Sequence, residues 1–177
     1  YWGSGLISPI KDENGKITHF LAVQEDITEK KISEERAQYL ASYDELTGLF
    51  NRAHFIGLLN EWISHDKNRN QMGVLLLINI DRFRLINDTY GHGVGDILLH
   101  HIAGFLRNTI SEINKQYANK EVKETILSRM GGDEFVIFLP SRSEKEGMAV
   151  AECIRKKLED YKFIEITGRL TATIGIV

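Results

Sequence analysis

Apolar residues change their spacing along this chain, and each change marks an element. Residues 1–10 are rich in β-formers, Asn14 and Gly15 carry a turn signal, and residues 17–23 form a second run. This pattern predicts a hairpin. Two strands alone are marginal in water, so the hairpin reads as a piece of a larger sheet. Charged residues then dominate, with Ile32, Tyr39, Leu40 and Tyr43 as the apolar positions. They predict a helix over 29–43, either a solvated linker or a short coiled coil. Phe55, Leu58, Leu59 and Trp62 recur at helical spacing to about His65. Residues 74–78 are a nearly unbroken apolar run, which predicts a strand over 73–80 buried on both faces. A long amphipathic helix is expected from Val94 to about Ile113, with Ile97, Leu98, Ile102, Phe105 and Leu106 facing inward. A polar run follows at 114–124. Residues 125–130 and 135–139 then predict two strands joined through Gly131 and Gly132, because glycine accepts the positive φ of tight hairpin turns. A helix over 148–158, a short strand over 163–166 and a strand over 170–177 complete the set. Both ends fall within strand-like sequence, so the chain reads as a fragment of a multidomain protein.

Composition narrows this little. With 177 residues, 42% hydrophobic and 27% charged, the chain can bury an ordinary soluble core. A formal charge of −3 gives no basic footprint, which argues against nucleic acid as a partner. The single cysteine, Cys153, excludes an internal disulfide and falls in an apolar-patterned helix, where core packing is expected. No apolar run reaches membrane-spanning length and residue 1 opens no signal peptide. The chain therefore reads as cytoplasmic, with an upstream membrane tether left open.

Chemistry concentrates in three places. Asp133 and Glu134 follow the two glycines directly. Bare glycine amides can cradle phosphate and adjacent carboxylates can hold a divalent metal, which suggests a nucleotide–metal site; the alternative is a hairpin tip merely solvated by acids. The strand over 73–80 ends in Asn79-Ile80-Asp81, so polar groups gather at its C-terminal end. Between that strand and the long helix lie Asn87, Gly91, His92, Gly93, Gly95 and Asp96. These glycines do not form the dinucleotide fingerprint, since Asp96 follows Gly95 and the stretch does not directly follow a strand. His92, Asp96 and His100 are four apart, as zinc ligands on one helix face can be; the competing reading gives Asp96 a capping or base-contacting role.

Two stretches resemble known families. The hairpin closed by Asp26-Ile27-Thr28-Glu29-Lys30-Lys31 resembles the C-terminal end of a PAS sensor domain. Asp-x-Leu-Thr-Gly-Leu-x-Asn-Arg at 44–52, Ile-Asp-x-Phe-x-x-Ile-Asn-Asp-x-x-Gly-His-x-x-Gly-Asp at 80–96 and Arg-x-Gly-Gly-Asp-Glu-Phe at 129–135 resemble the GGDEF family of diguanylate cyclases. The resemblance implies an α+β fold, a nucleotidyl-cyclase-like, mainly antiparallel sheet flanked by helices. The N-terminal hairpin remnant (1–28) and a signalling linker helix (29–43) would precede a C-terminally incomplete GGDEF domain (44–177). It implies that two GTP are joined into cyclic di-GMP by a homodimer with Mg2+ or Mn2+. By the same resemblance Asp133 is a metal ligand and proton acceptor, the Ile80 carbonyl is a second ligand, and Glu134 supports them. Asn87 and Asp96 match the guanine-binding pair, an amide and a carboxylate suited to that base's edge. His92 matches the neighbouring family histidine. The backbone at Arg82, Phe83 and Arg84, with Gly131 and Gly132, would approach the phosphates.

Three features depart from the family. Asn79 stands where the family has its principal metal-binding aspartate, and hard cations favour carboxylate over amide. The family's inhibitory product site is an Arg-x-x-Asp ahead of the glycines, and its positions here are Val122 and Thr125. The family also continues with a helix bearing phosphate-binding basic residues, which this sequence does not reach. Two functions therefore stand side by side. One is an active cyclase under PAS control; the other is a degenerate module that binds GTP without turnover and regulates an attached domain.

Overall fold

In a computed structural model, residues 1–65, 71–116, 125–164, 166 and 168–177 are described. The chain divides into two compact units, Tyr1–Leu40 and Ala41–Val177. In the first, strand β1 (Gly3–Lys11) pairs antiparallel with β2 (Ile17–Asp26). The turn between them is held by Asp12, whose carboxylate accepts from the amides of Asn14 and Lys16, and Gly15 takes φ 79°. Helix α1 (Thr28–Ser42) follows as the charge pattern predicts. Trp2, Leu6, Phe20 and Leu21 are all exposed, so within its own unit the hairpin has no covered face.

The second unit is built on a four-stranded sheet. Its strands are β3 (Gly73–Ile80), β4 (Ile126–Gly131), β5 (Glu134–Pro140) and β6 (Ala172–Ile176), in the order β4-β5-β3-β6. Every pairing is antiparallel. The helices are α2 (Arg52–Ser64), α3 (Phe83–Tyr90), α4 (His92–Gln116) and α5 (Glu144–Asp160). The fold is α+β, an antiparallel sheet flanked by helices, as expected.

The two sheet faces are covered unequally. Leu76, Ile78, Ile80, Phe135, Ile137 and Leu139 point into the larger core with Leu98, Ile102 and Leu106 of α4 and Ile154 and Leu158 of α5. Each such side chain, fully buried, contributes about 1.5–3 kcal/mol by leaving water. On the opposite face Phe55, Leu59 and Trp62 of α2 cover Val136, Phe138 and Leu75. Beyond α2 that cover thins, so β3 is not buried on both faces as its apolar run predicts, and Leu77 is 44% exposed. α4 also turns differently from expectation. Leu99 is buried, whereas Ile97 is 45% exposed, because the inward stripe starts at Leu98.

The expected strand over 163–166 does not form at residues 163, 164 and 166. Phe163 is buried against the rings of Tyr161 and His101, Ile164 is exposed, and the Ile166 amide donates to the Phe163 carbonyl in a turn. With β6 already beside β3, Phe163 instead plugs the seam between α4 and the end of α5. Cys153 is half-buried and packs on the core. The expected polar run at 114–124 lies partly outside the described residues; α4 takes it to Gln116. No helix is long and apolar enough to cross a membrane among the described residues.

α5 starts abruptly after β5 because Ser143 caps it. The Ser143 hydroxyl accepts from the Glu146 amide, and the Glu146 carboxylate accepts from the Ser143 amide, a reciprocal capping box. Ser143→Ala should lower unfolding free energy by about 0.5–2 kcal/mol in urea titrations, with the denaturant slope unchanged.

Candidate functional site

The β4–β5 connection is tighter than two glycines in a row would give. Gly131 still pairs with Glu134, so the two-residue turn is Gly132 and Asp133. A register irregularity between Arg129 and Gly131 takes up one residue and moves the turn along by one. Gly131 and Gly132 take φ 131° and 54°, which other residues adopt only with strain. Asp133 thus occupies the turn itself and Glu134 opens β5.

The turn sits at the end of β3. Asn79 pairs with Glu134, and the Ile80 amide donates to the Asp133 carbonyl at 3.3 Å. Four of the anticipated residues, Asn79, Ile80, Asp133 and Glu134, therefore meet across one strand pair. Beyond Ile80 the chain leaves the sheet through Asp81 and through Arg82 in the left-handed conformation, φ 58°. Phe83 then begins α3, a helix that the sequence analysis does not anticipate. Its eight residues run directly into the glycines of 91–95, which dominate the pattern there, and Gly91 ends it with φ 85°. Asn87 lies on α3. Its side-chain oxygen is buried and, among the described residues, has no hydrogen-bond partner. Gly95 of α4 packs so closely there that a Cβ would overlap that oxygen. Asp96, next to Gly95, is exposed, as is His92 at the start of α4. Arg84 is exposed and forms a long pair with Asp88, 3.9 Å. A separate cleft of about 870 Å3 is lined by Asn79, Asp81, Arg82, Tyr90 and Arg169 among others, and Asn87, His92 and Asp96 are not in its lining.

The zinc alternative is not realised. His100 is held by the Leu46 carbonyl, 3.2 Å from its Nδ1, and no group of three His, Cys, Asp or Glu side chains is placed to hold a metal ion among the described residues.

The strongest polar contact at the turn comes from residues to which the sequence analysis gives no role in the site. The Arg129 guanidinium donates from Nη1 to both carboxylate oxygens of Asp44, each at 3.0 Å, and from Nε and Nη2 to the Gly132 carbonyl at 3.0 and 2.7 Å. The 42–51 loop that supplies Asp44 is closed by backbone bonds from Asp44 to Leu49 and from Asn51 to Ser42. It is bound to β4 where the Arg129 amide donates to the Phe50 carbonyl. Arg107 of α4 donates to Gly48 in the same loop. The stretch at 44–52 is thus a brace for the Gly132–Asp133 turn.

The family described as diguanylate cyclase, GGDEF domain, matches residues 41–177. The chain belongs to this family. Among curated relatives of this GGDEF domain, the probable diguanylate cyclase DgcE of Escherichia coli is 31% identical over 158 residues, 89% of this chain and 13% of that protein. Diguanylate cyclase DgcM of Escherichia coli is 34% identical over 158 residues, 88% of this chain and 35% of that protein. The chain thus spans only a minor part of each. Among solved structures, the coiled coil and GGDEF domain of DgcB from Caulobacter crescentus, in complex with c-di-GMP, aligns with a TM-score of 0.68 at 22% identity, covering 85% of this chain and 75% of that one. The GGDEF domain of YfiN from Pseudomonas aeruginosa aligns with a TM-score of 0.60 at 31% identity, covering 76% of this chain and 73% of that one.

The brace carries a pH signature. Burial alone would push the Asp44 carboxyl up, but hydrogen bonds from Thr47 and Arg129 and the Arg129 charge outweigh it and hold the carboxyl below its ordinary value. Its folded-state pKa is therefore lower than its unfolded one, and the unfolded value is about 4. The stability it contributes is fully present above the unfolded value and is lost as pH falls through the folded value. Asp44→Asn should be less stable than wild type at pH 7, and denaturation at successively lower pH should show the gap closing below about pH 4. A gap that stays constant into acid would mean the ionised carboxylate contributes nothing.

Proposed function

We propose that this GGDEF domain condenses two GTP molecules into cyclic di-GMP with release of pyrophosphate, working as a homodimer in which each subunit presents one GTP. The observation that carries the reading is the meeting of Asn79, Ile80, Asp133 and Glu134 at one strand end beside the α3–α4 seam. All four offer oxygen donors, two of them carboxylates, and that set fits a hard dication such as Mg2+ or Mn2+. Such an ion would neutralise charge on the triphosphate and make the 3′-hydroxyl easier to deprotonate. Asp133 would hold the ion together with the Ile80 carbonyl and accept the proton, and Glu134 would add its charge beside them. The 3′-oxygen then attacks the α-phosphorus of the partner's GTP, a new P–O bond forms, and the bond to pyrophosphate breaks. Such transfer needs alignment and charge neutralisation more than covalent help.

Guanine would bind at the seam. The unpartnered Asn87 oxygen can accept from the exocyclic amine, and Asp96 can accept from N1–H and the same amine. His92 would flank the base. The backbone of Arg82, Phe83 and Arg84, at the start of α3, would face the phosphates together with Gly131 and Gly132. Upstream, residues 1–28 are read as the end of a PAS domain and 29–43 as its signalling helix. The exposed apolar side chains of the hairpin support its belonging to a larger sheet. The reading has the domain act in the cytoplasm.

Asn79 favours the second reading, a GTP-binding regulatory module. A neutral amide leaves the ion one anionic ligand short. Initial rates against magnesium concentration in the intact protein separate the two. Asn79→Asp should tighten magnesium binding and raise cyclic di-GMP production by about tenfold or more, and Asp133→Ala should abolish activity. An Asn79→Asp rate equal to wild type at every magnesium level removes residue 79 from the ligand set. A silent wild type rescued only by Asn79→Asp makes the chain a regulatory module.

Feedback by product should also be weak. Val122 lies outside the described residues, and the Thr125 hydroxyl donates to the Asn114 side chain at 3.1 Å. Neither side chain offers the bidentate anchor of an arginine. Calorimetry should show no micromolar cyclic di-GMP binding that depends on residues 122–125.

A further inference from the structure

Asp81 follows β3 directly and is two residues from Asn79, yet its carboxylate is spent elsewhere. One oxygen accepts from the Thr171 hydroxyl at 2.6 Å and the other from the Thr173 hydroxyl at 2.7 Å. Its amide donates to the Thr171 carbonyl at 2.9 Å. Thr173 pairs directly with Asn79 across the β3–β6 ladder, and Ala172 with Ile80. These bonds act where the chain is hardest to hold. The next residue, Arg82, is in the left-handed region at φ 58°, and α3 begins immediately after it. On its other side the end of β3 meets the turn through the 3.3 Å contact of the Ile80 amide with the Asp133 carbonyl.

We propose that Asp81 is a positioning residue that clamps β6 to the end of β3, and so fixes the Asn79 side chain and the Ile80 carbonyl against the Asp133 turn. The clamp is made by two short hydroxyl bonds, one to each oxygen of the same side chain, so it depends on where those two acceptor positions stand. Each Asp81 oxygen accepts one threonine hydroxyl, and through those bonds Asp81 acts on the placement of Asn79 and Ile80. The inference rests on the proposed site for its functional consequence and on the two hydroxyl bonds alone for the clamp.

Three variants separate clamp from charge. Asp81→Ala removes both. Thr171→Val with Thr173→Val removes the clamp and keeps the charge. Asp81→Asn removes the charge and keeps the clamp, because a threonine hydroxyl can donate to the amide oxygen and another can accept from the amide nitrogen. The first readout needs no metal: amide hydrogen exchange at residues 80 and 81 in the folded chain. Exchange should quicken in Asp81→Ala and in the double valine variant, and stay near wild type in Asp81→Asn. The second is Mn2+ affinity with a non-hydrolysable GTP analogue present, followed by the free-Mn2+ electron paramagnetic resonance signal. It should weaken by about tenfold in the first two and by less than about threefold in Asp81→Asn.

If Asp81→Asn matches Asp81→Ala while the double valine variant behaves as wild type, Asp81 acts by charge and the clamp is wrong. Unchanged exchange in Asp81→Ala also overturns it. Should Asp81→Ala fail to fold, the double valine variant and Asp81→Asn still give opposite expectations. A wild type that takes up no Mn2+ with nucleotide, while exchange follows the expected order, overturns the metal-site reading and supports the clamp.

Discussion

One guanidinium holds together parts of the domain that are far apart in sequence. Arg129 is only 11% exposed, and it satisfies the Asp44 carboxylate and the Gly132 carbonyl at once. A carboxylate in so enclosed a place is costly unless paired, and a carbonyl in a two-residue turn has no ladder partner of its own. Arg129 answers both needs, and its planar fork suits the double contact as a lysine ammonium would not. The turn that presents Asp133 is tied through Arg129 to the loop that opens the domain, which is itself bonded to β4.

The sheet explains why the candidate site residues gather at one end. Antiparallel pairing brings the start of β5 beside the end of β3, which joins Asn79 to Glu134. Short connections then place α3 and α4 directly after β3, so the Asn87 and Gly95 contact lies at the same end. The larger core of Leu76, Ile102, Leu106 and Ile154 lies beneath it and fixes the helices. Rigid elements position the polar groups, and the turn exposes them.

Much of this was legible in the sequence because the relevant signals are local. Adjacent glycines predict a hairpin, the run at 74–78 predicts a strand, and period 3.6 predicts α2, α4 and α5. What escaped has physical causes. α3 is only eight residues long, too short for periodicity to show beside the glycines of 91–95. The turn falls on Gly132 and Asp133 because a bulge, which leaves no local sequence mark, takes up a residue. The Asp44–Arg129 pair spans 85 positions, and the Asp81 bonds to Thr171 and Thr173 span 90 and 92, beyond the reach of any pattern within a window. Phe163 looks strand-like for the same reason that it plugs a seam: both places want a large apolar ring. The candidate site residues were recognised by motif, whereas the bonds that hold them were not.

The strand order also bears on how the domain comes into being. β3 is the first strand of its sheet to be made, yet both its neighbours, β5 and β6, come much later in the chain. Closing such distant pairs costs chain entropy before any contact repays it, which slows folding. During synthesis, the apolar residues of β3 wait without a ladder partner until β5 emerges, and the Asn79 end waits further still for β6. A ribosome that stalls between those strands would leave an unpaired edge open to other chains.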